Sequence, residues 1–319
     1  MDIALITFES VSILLGIGII GFWIIRSEIL PITILRSLNP LALDIALPSL
    51  IFIDIITDFN PLLYPDWWQY PLWWVVFTLF AGLCTILFRY VSHKRTRNEF
   101  SISLFYQNGI FFPLAILSGM FPTSERYIIS LFLFILFFPA FFFSTYPLFF
   151  QGSPQKNHSI SLKKIIHPTL IATIIGILIC LINVQHHIPS TITSVLSLLG
   201  GMALPLLMII LGGNIYINFK KKGLSAKGET LKFVIIKNFV FPLCFIGFLL
   251  IFYNYIPPEI AFIMFLQSAV PPVTAIPMVT ERMNGNHELT SQFTMASFIL
   301  SLVSIPLMVY IYQLFFTLK

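Results

Sequence analysis

Long uninterrupted apolar segments constrain this chain more than any other feature of its sequence. Each is about 20 residues long, the length at which a helix crosses the hydrocarbon core of a bilayer. The segments are continuous rather than alternating between polar and apolar residues, so they do not predict the strands of a membrane barrel. We predict an all-α polytopic membrane protein whose ten transmembrane helices cover 4–25, 38–57, 68–90, 101–120, 126–148, 164–184, 190–215, 232–254, 259–280 and 289–316.

The small number of charged side chains excludes a water-soluble protein. Charged residues make up 10 % of the 319 residues and hydrophobic residues 57 %, whereas a soluble domain carries about 25 % charged and about 45–50 % apolar residues. So few charges cannot cover a surface that faces water. The connections between the segments are also too short to fold into a separate domain, so we expect the function to lie within the membrane.

The motifs of enzymes and of ATP-driven pumps are missing from the sequence. It contains no Walker A, HExxH or GxSxG motif. Cys84, Cys180 and Cys244 lie in apolar segments without CxxC spacing, and we interpret them as buried hydrophobes. The net charge of +5 comes from short clusters of basic residues between the apolar segments and not from a continuous basic surface. No nucleic-acid partner is therefore expected. Neither an enzyme nor a bound cofactor or metal is expected.

The distribution of basic residues orients the predicted helices. Fifteen of the 18 Lys and Arg residues fall in the odd-numbered loops or at their edges, and only Arg126 and Lys319 fall on the opposite side. Basic residues near the ends of transmembrane helices favour the cytoplasmic side. We therefore expect the odd-numbered loops in the cytoplasm and both termini on the other side of the cytoplasmic membrane.

Two short stretches of the first half recur in the second half, in the same order. ALPSL in segment two resembles ALPLL in segment seven, and FYQNG in segment four resembles FLQSA in segment nine. Each half contains five segments, and an odd number means that the second half enters the membrane upside down. This predicts two inverted five-helix repeats. They would occupy residues 1–150 and 164–319, joined by a short cytoplasmic linker at 151–163.

Proline, glycine and amide residues interrupt segments four and nine. Proline removes a backbone donor and glycine lets the chain bend. A helix broken at mid-membrane presents the positive end of its dipole to an anion. One such proline more often marks a kink, but paired breaks in corresponding segments point to a binding site. The candidate substrate-binding residues are Gln107, Asn108, Gly109, Pro113, Gln267, Ser268, Pro271 and Pro272.

Three further polar residues are candidates for ion coupling or substrate contact. Asp54 lies in segment two, Asn214 late in segment seven and Lys237 near the start of segment eight. A charge at membrane depth is costly and usually faces a cavity or a partner. The alternatives stay open: Asp54 can sit at the outer interface near Asp58, and Lys237 can snorkel to the cytoplasmic face.

The interrupted segments and their neighbours resemble the auxin efflux carrier family, which also contains malate-type permeases. The resemblance extends over nearly the whole chain. In the second half it rests on HPTLIAT from His167, LGGMALPL from Leu199, LGG from Leu211 and QSAVPP from Gln267. In the first half it rests on Leu47–Pro48 and on Gln107–Gly109 with Pro113.

The resemblance implies ten helices in two inverted five-helix repeats, with helices four and nine broken where they cross. It implies a permease or efflux carrier in which this mobile crossing rocks against a scaffold of helices one, two, six and seven. The implied substrate is a small organic anion such as a carboxylate or an auxin-like compound, with Asn108 as a contact for its carboxylate. The loop at 151–163 is too short to be the regulatory loop of the plant carriers. We therefore do not expect this protein to be regulated as the plant carriers are.

We therefore interpret the chain as a secondary transporter that works by alternating access. The expected partners are the organic anion, a proton or sodium as coupling ion, the lipid bilayer and a second copy of the chain in a homodimer. A transporter-like sensor that binds a ligand without moving it is the main alternative, and a channel is a further one. Saturable counterflow in proteoliposomes distinguishes a carrier from both.

The charge distribution makes a testable prediction about topology. In intact cells, single cysteines introduced at the two termini should react with an impermeant thiol reagent. Cysteines in the loops at 91–100 and 218–231 should react only after the membrane is permeabilised. A protected C-terminus would contradict the predicted number of helices.

Overall fold

Helices make up most of the described part of the chain, which in this computed structural model comprises residues 3–62, 65–121, 125–150, 168–222 and 226–316. The predicted linker at 151–163 lies outside the described residues. The α-helices of the described ranges are α1 (Ile3–Arg26), α2 (Ile34–Pro40), α3 (Leu47–Asp58), α4 (Tyr70–Phe88), α5 (Arg97–Phe105), α6 (Phe111–Met120), α7 (Glu125–Phe134), α8 (Phe138–Thr145), α9 (Pro168–Leu181), α10 (Ser190–Gly201), α11 (Ala203–Lys222), α12 (Lys227–Ile235), α13 (Phe241–Phe252), α14 (Pro258–Ala269), α15 (Ile276–Arg282) and α16 (His287–Phe315).

Within the described ranges, five helical stretches are long and apolar enough to cross a membrane. They cover Ser37–Asp58, Trp67–Val91, Ser190–Ile217, Lys227–Tyr255 and His287–Phe315. These stretches coincide with predicted segments two, three, seven, eight and ten. Shorter apolar helices occupy Val11–Arg26, Phe111–Met120, Pro168–Leu181 and Pro258–Ala269. The chain is therefore an all-helical polytopic membrane protein, while the count of ten and the inverted repeat stay predictions.

Two of the long stretches contain a π-helical turn. One covers Leu41–Ala46 between α2 and α3, and the other covers Ile236–Val240 between α12 and α13. In the second, the Asn238 amide donates to the Ser297 carbonyl at 3.0 Å and to the Ser304 hydroxyl at 2.9 Å. The Ser297 hydroxyl donates back to the Asn238 side chain at 2.6 Å. Such turns often occur at functional sites, and here the polar contacts tie the turn to α16.

Small residues let α1 and α11 approach closely. A Cβ atom on Gly21 would collide with the backbone of Ile209, and one on Gly212 would collide with the carbonyl of Gly18. Close backbone contact between small residues is a common way for helices to associate in a membrane. These glycines therefore serve helix packing and not ligand binding.

Replacing Gly21 should destabilise the protein selectively. In Gly21→Ala the new methyl group has no space against α11, and overpacking of this kind costs about 1–3 kcal/mol. Gly16→Ala on the same helix is the matched control, because a Cβ there meets nothing within 4 Å and alanine favours the helix. Melting temperatures in detergent should fall for Gly21→Ala and stay level or rise for Gly16→Ala. Equal melting temperatures would contradict the close contact.

Candidate functional site

Two interrupted helices meet in the interior of the protein. The chain leaves helical geometry at 106–110, between α5 and α6, and at 270–275, between α14 and α15. The Asn108 N–H donates to the Pro271 carbonyl at 2.9 Å, and the Val273 N–H donates to the Tyr106 carbonyl at 3.1 Å. These bonds form an antiparallel bridge between Gln107 and Pro272. We call the two bridged segments the crossover.

The local sequence explains both breaks. Proline disfavours helical geometry in the residue before it, and Val270, which precedes Pro271, is extended with φ −76° and ψ 154°. In the other break, a Cβ atom on Gly109 would lie 2.6 Å from Oε1 of Gln267. Only glycine fits this position without displacing the amide.

The two glutamines satisfy backbone groups that the breaks leave free. The Gln107 side chain donates from Nε2 to the carbonyls of Leu104 at 2.9 Å and Phe105 at 3.1 Å, at the end of α5. The Gln267 side chain donates to the Gly109 carbonyl at 2.7 Å. Carbonyls at a helix end have no intrahelical partner. Both amides therefore stabilise the crossover.

Lys237 lies beside the crossover and is fully buried. Its exposed fraction is 0 %, so it does not snorkel to a membrane surface. Its Nζ donates to the Ser268 carbonyl at 3.0 Å and lies 4.7 Å from the centre of the Phe241 ring. The Ser268 hydroxyl donates to the Phe265 carbonyl at 2.6 Å. Lys237 thus places a polar head group at the end of α14.

A small cavity adjoins the crossover on the side of segment two, and we call it the crossover cavity. Its volume is about 100 Å³. Its walls are mainly apolar, with Asn108, Thr169 and Thr274 as the polar side chains. The lining residues are Leu43, Leu47, Asn108, Gly109, Ile110, Phe111, Phe138, Phe142, Thr169, Val273, Thr274 and Ala275.

Two features that favour an anion border this cavity. Asn108 is only 1 % exposed, and its side-chain Nδ2 has no hydrogen-bond partner among the described residues. The ten-residue helix α6 begins at Phe111, and no side chain caps its first turn. First-turn N–H groups carry the positive end of the helix dipole. An anion in this cavity would therefore meet a free amide and a helix N-terminus.

A second, more polar cavity lies between α11 and α15–α16, and we call it the polar cavity. Its volume is about 200 Å³. Asn214 contributes from α11, and Thr274 lines both cavities. The lining residues are Leu211, Asn214, Ile215, Thr274, Pro277, Met278, Glu281, His287, Ser291, Thr294 and Met295.

The structure divides the candidate residues into three groups. Asn108 and Gly109 line the crossover cavity, and Asn214 lines the polar cavity. Asp54 lies in α3 and lines neither cavity. The others build or support the crossover without lining these cavities: Gln107, Pro113, Gln267, Ser268, Pro271, Pro272 and Lys237.

Several lining residues were not among the sequence candidates. His287, Ser291 and Thr294 follow one another at helical spacing on α16, so a polar stripe was visible in an apolar segment. Thr274 follows the paired prolines directly and was visible as well. Phe138, Phe142 and Leu47 carry no comparable signal, because apolar residues of this kind occur along all the segments.

A comparison with known families identifies this chain as part of one of them. The model of a family described as membrane transport protein matches residues 6–161 and 155–309, which together cover nearly the whole chain. This confirms the resemblance to the auxin efflux carrier family. No curated protein matches the chain.

Removing the Gln267 amide should weaken the crossover. In Gln267→Leu the buried Gly109 carbonyl loses its donor, and leaving such a group unpaired costs about 1–3 kcal/mol. Gln69→Leu is the control, since the Gln69 amide bonds to Asp66 at an exposed position, where substitutions usually change stability by less than about 0.5 kcal/mol. Melting temperatures should fall only for Gln267→Leu. If both variants melt like the parent, the glutamine does not hold the break.

Proposed function

Because this chain belongs to the membrane transport protein family, we propose that it is a secondary transporter of a small organic anion. It would move a carboxylate or an auxin-like compound across the cytoplasmic membrane by alternating access. The observation that carries this proposal is the unpartnered Asn108 amide at the crossover cavity.

The chemistry of the crossover cavity favours an organic anion over a cation or a neutral solute. The buried Asn108 amide offers donors, and a carboxylate oxygen accepts bonds from such donors. The uncapped N-terminus of α6 adds a favourable potential for negative charge. The apolar walls, which include Leu47 and Phe138, suit a carbon skeleton. A volume of about 100 Å³ favours a small substrate.

The position of the cavities supports alternating access. On one side they are lined by the crossover, and on the other by Leu43 and Leu47, by Thr169 of α9 and by Asn214 of α11. These last residues belong to predicted helices two, six and seven, the expected scaffold. Rocking of the crossover against that scaffold would therefore open and close both cavities.

The present arrangement corresponds to an inward-facing state in this proposal. Glu281 and His287 line the polar cavity and flank a turn that the charge distribution assigns to the cytoplasm. In the other broken helix, α6 packs against α1. The substrate would then exchange with the cytoplasm through the polar cavity, past Asn214.

Lys237 has a supporting role in the proposed cycle. Its head group is bonded to the carbonyl of Ser268, on the helix that leads into the crossover. Moving the crossover would change the surroundings of this buried group, so coupling to a proton is proposed through Lys237. Asp54 lies apart from both cavities and is not included in the proposed site.

Replacing Asn108 should abolish most substrate affinity. Asn108→Leu keeps the approximate size but removes the donors, and losing a bond to a charged partner costs about 1.5–3 kcal/mol, or about ten- to a hundred-fold in affinity. The control is Asn254→Leu, at an exposed turn after α13. Purified protein in proteoliposomes should show saturable counterflow with malate, malonate or an indole carboxylate. Asn108→Leu should raise the half-saturating concentration at least ~10-fold.

Two outcomes would overturn separate parts of the proposal. Equal half-saturating concentrations in both variants would remove Asn108 from the site while leaving transport intact. Binding of a carboxylate, seen as a rise in melting temperature, without any counterflow would refute transport itself.

A further inference from the structure

A third cavity lies on a different side of the crossover, between α4, α5 and α8. Its volume is about 460 Å³, larger than either cavity of the proposed substrate site. It shares no lining residue with them. We call it the lateral cavity, and its lining residues are Gly82, Thr85, Ile86, Arg89, Asn98, Ser101, Phe105, Tyr106, Phe141, Thr145, Leu148 and Phe149.

One end of the lateral cavity is polar and basic. Arg89 follows α4 directly, and its Nε is buried without a hydrogen-bond partner among the described residues. The hydroxyls nearby already donate to their own helices: Thr85 to the Ala81 carbonyl at 2.7 Å and Ser101 to the Arg97 carbonyl at 2.7 Å. The donors left for a ligand are therefore the Arg89 guanidinium and the Asn98 amide.

The rest of the lateral cavity is apolar and reaches the outer surface of the helices. Ile86 of α4 and Leu148 are each 58 % exposed. Ile86 belongs to the membrane-crossing stretch Trp67–Val91, where such side chains face acyl chains. Phe105, Phe141 and Phe149 line the interior. The cavity thus combines a cationic end at the level of the basic loop 89–97 with an apolar wall that opens sideways into the bilayer.

We propose that the lateral cavity binds a phosphate group carried by an anionic phospholipid. The phosphate would accept bonds from Arg89 and Asn98, since a guanidinium matches phosphate oxygens in a bidentate geometry. An acyl chain would lie between Ile86 and Leu148.

Tyr106 connects this site to the crossover. Its hydroxyl is hydrogen-bonded to Thr145 at 2.7 Å in the cavity wall, while its carbonyl accepts the crossover bond from Val273 at 3.1 Å. A lipid that fills the cavity supports the ring of Tyr106 and so the bridged form of the crossover. Occupancy is therefore expected to raise the melting temperature of the protein.

The test uses the purified full-length protein in detergent. Melting temperatures are followed during titration with phosphatidylglycerol, with phosphatidylcholine as the zwitterionic comparison. Phosphatidylglycerol should raise the melting temperature of the parent. Arg89→Gln should need at least ~10-fold more of this lipid for the same rise, as expected for the loss of a bond to a charged group. Arg95→Gln removes the same charge from an exposed position of the same loop and should titrate like the parent.

A second variant tests the apolar part of the lateral cavity without touching a charge. Gly82→Leu fills the cavity from α4, where a Cβ atom would meet only the Phe105 ring, at an ordinary distance of 3.6 Å. It should fold and should lose the response to phosphatidylglycerol. A full response in Gly82→Leu would overturn the proposal.

A titration with inorganic phosphate distinguishes the two sources of the phosphate group. If phosphate alone gives an Arg89-dependent rise as large as that of the lipid, the anion site stands but its ligand is a soluble phosphate. If Arg89→Gln and Arg95→Gln weaken the lipid response equally, the response depends on the overall positive charge of the loop and not on the lateral cavity. The proposal is then wrong.

Discussion

Every backbone N–H and C=O group inside a hydrocarbon layer must find a partner within the protein, and a broken helix violates this condition at each break. The crossover meets the condition because the two breaks bond to each other through Asn108, Pro271, Tyr106 and Val273. The carbonyls of Leu104, Phe105 and Gly109 accept from Gln107 and Gln267. The cavities are therefore bordered by backbone that is held in place before any ligand arrives.

The bridge also decides which polar side chains remain available for binding. Gln107 and Asn108 are adjacent amides, yet one donates to backbone carbonyls and the other lines a cavity with a free donor. In an antiparallel bridge the side chains of neighbouring residues point to opposite sides. The Gln107 amide is therefore directed to the framework and the Asn108 amide to the cavity. A shift of one residue would exchange the two roles. Substrate recognition in the proposed transporter thus depends on the register of two hydrogen bonds.

Much of this architecture was predictable from local patterns, because long apolar segments and paired Pro and Gly residues have few alternative structures in a membrane. The roles of individual residues were not. The sequence proposes Gln267 and Ser268 for the binding site, and in the structure both side chains donate to backbone carbonyls. The partner of Gln267 is Gly109, 158 positions away along the chain, so no local pattern predicts this contact. From the sequence, Lys237 could either snorkel to the membrane surface or be buried. It is buried because its head group packs against the end of α14 and donates to the Ser268 carbonyl. The lateral cavity combines three helices and a loop, so no single segment of the sequence indicates it.

The bridge between the two breaks has a consequence for biosynthesis. Its partners come from opposite halves of the chain, so the 106–110 segment enters the membrane long before residues 270–275 have been synthesised. During that interval the backbone of the first break has to be sheltered by water, by lipid head groups or by the insertion machinery. The second break reaches the membrane only with the last two apolar segments. A nascent chain that stops before them would leave an open polar gap in the bilayer, which is the kind of defect that membrane quality control removes.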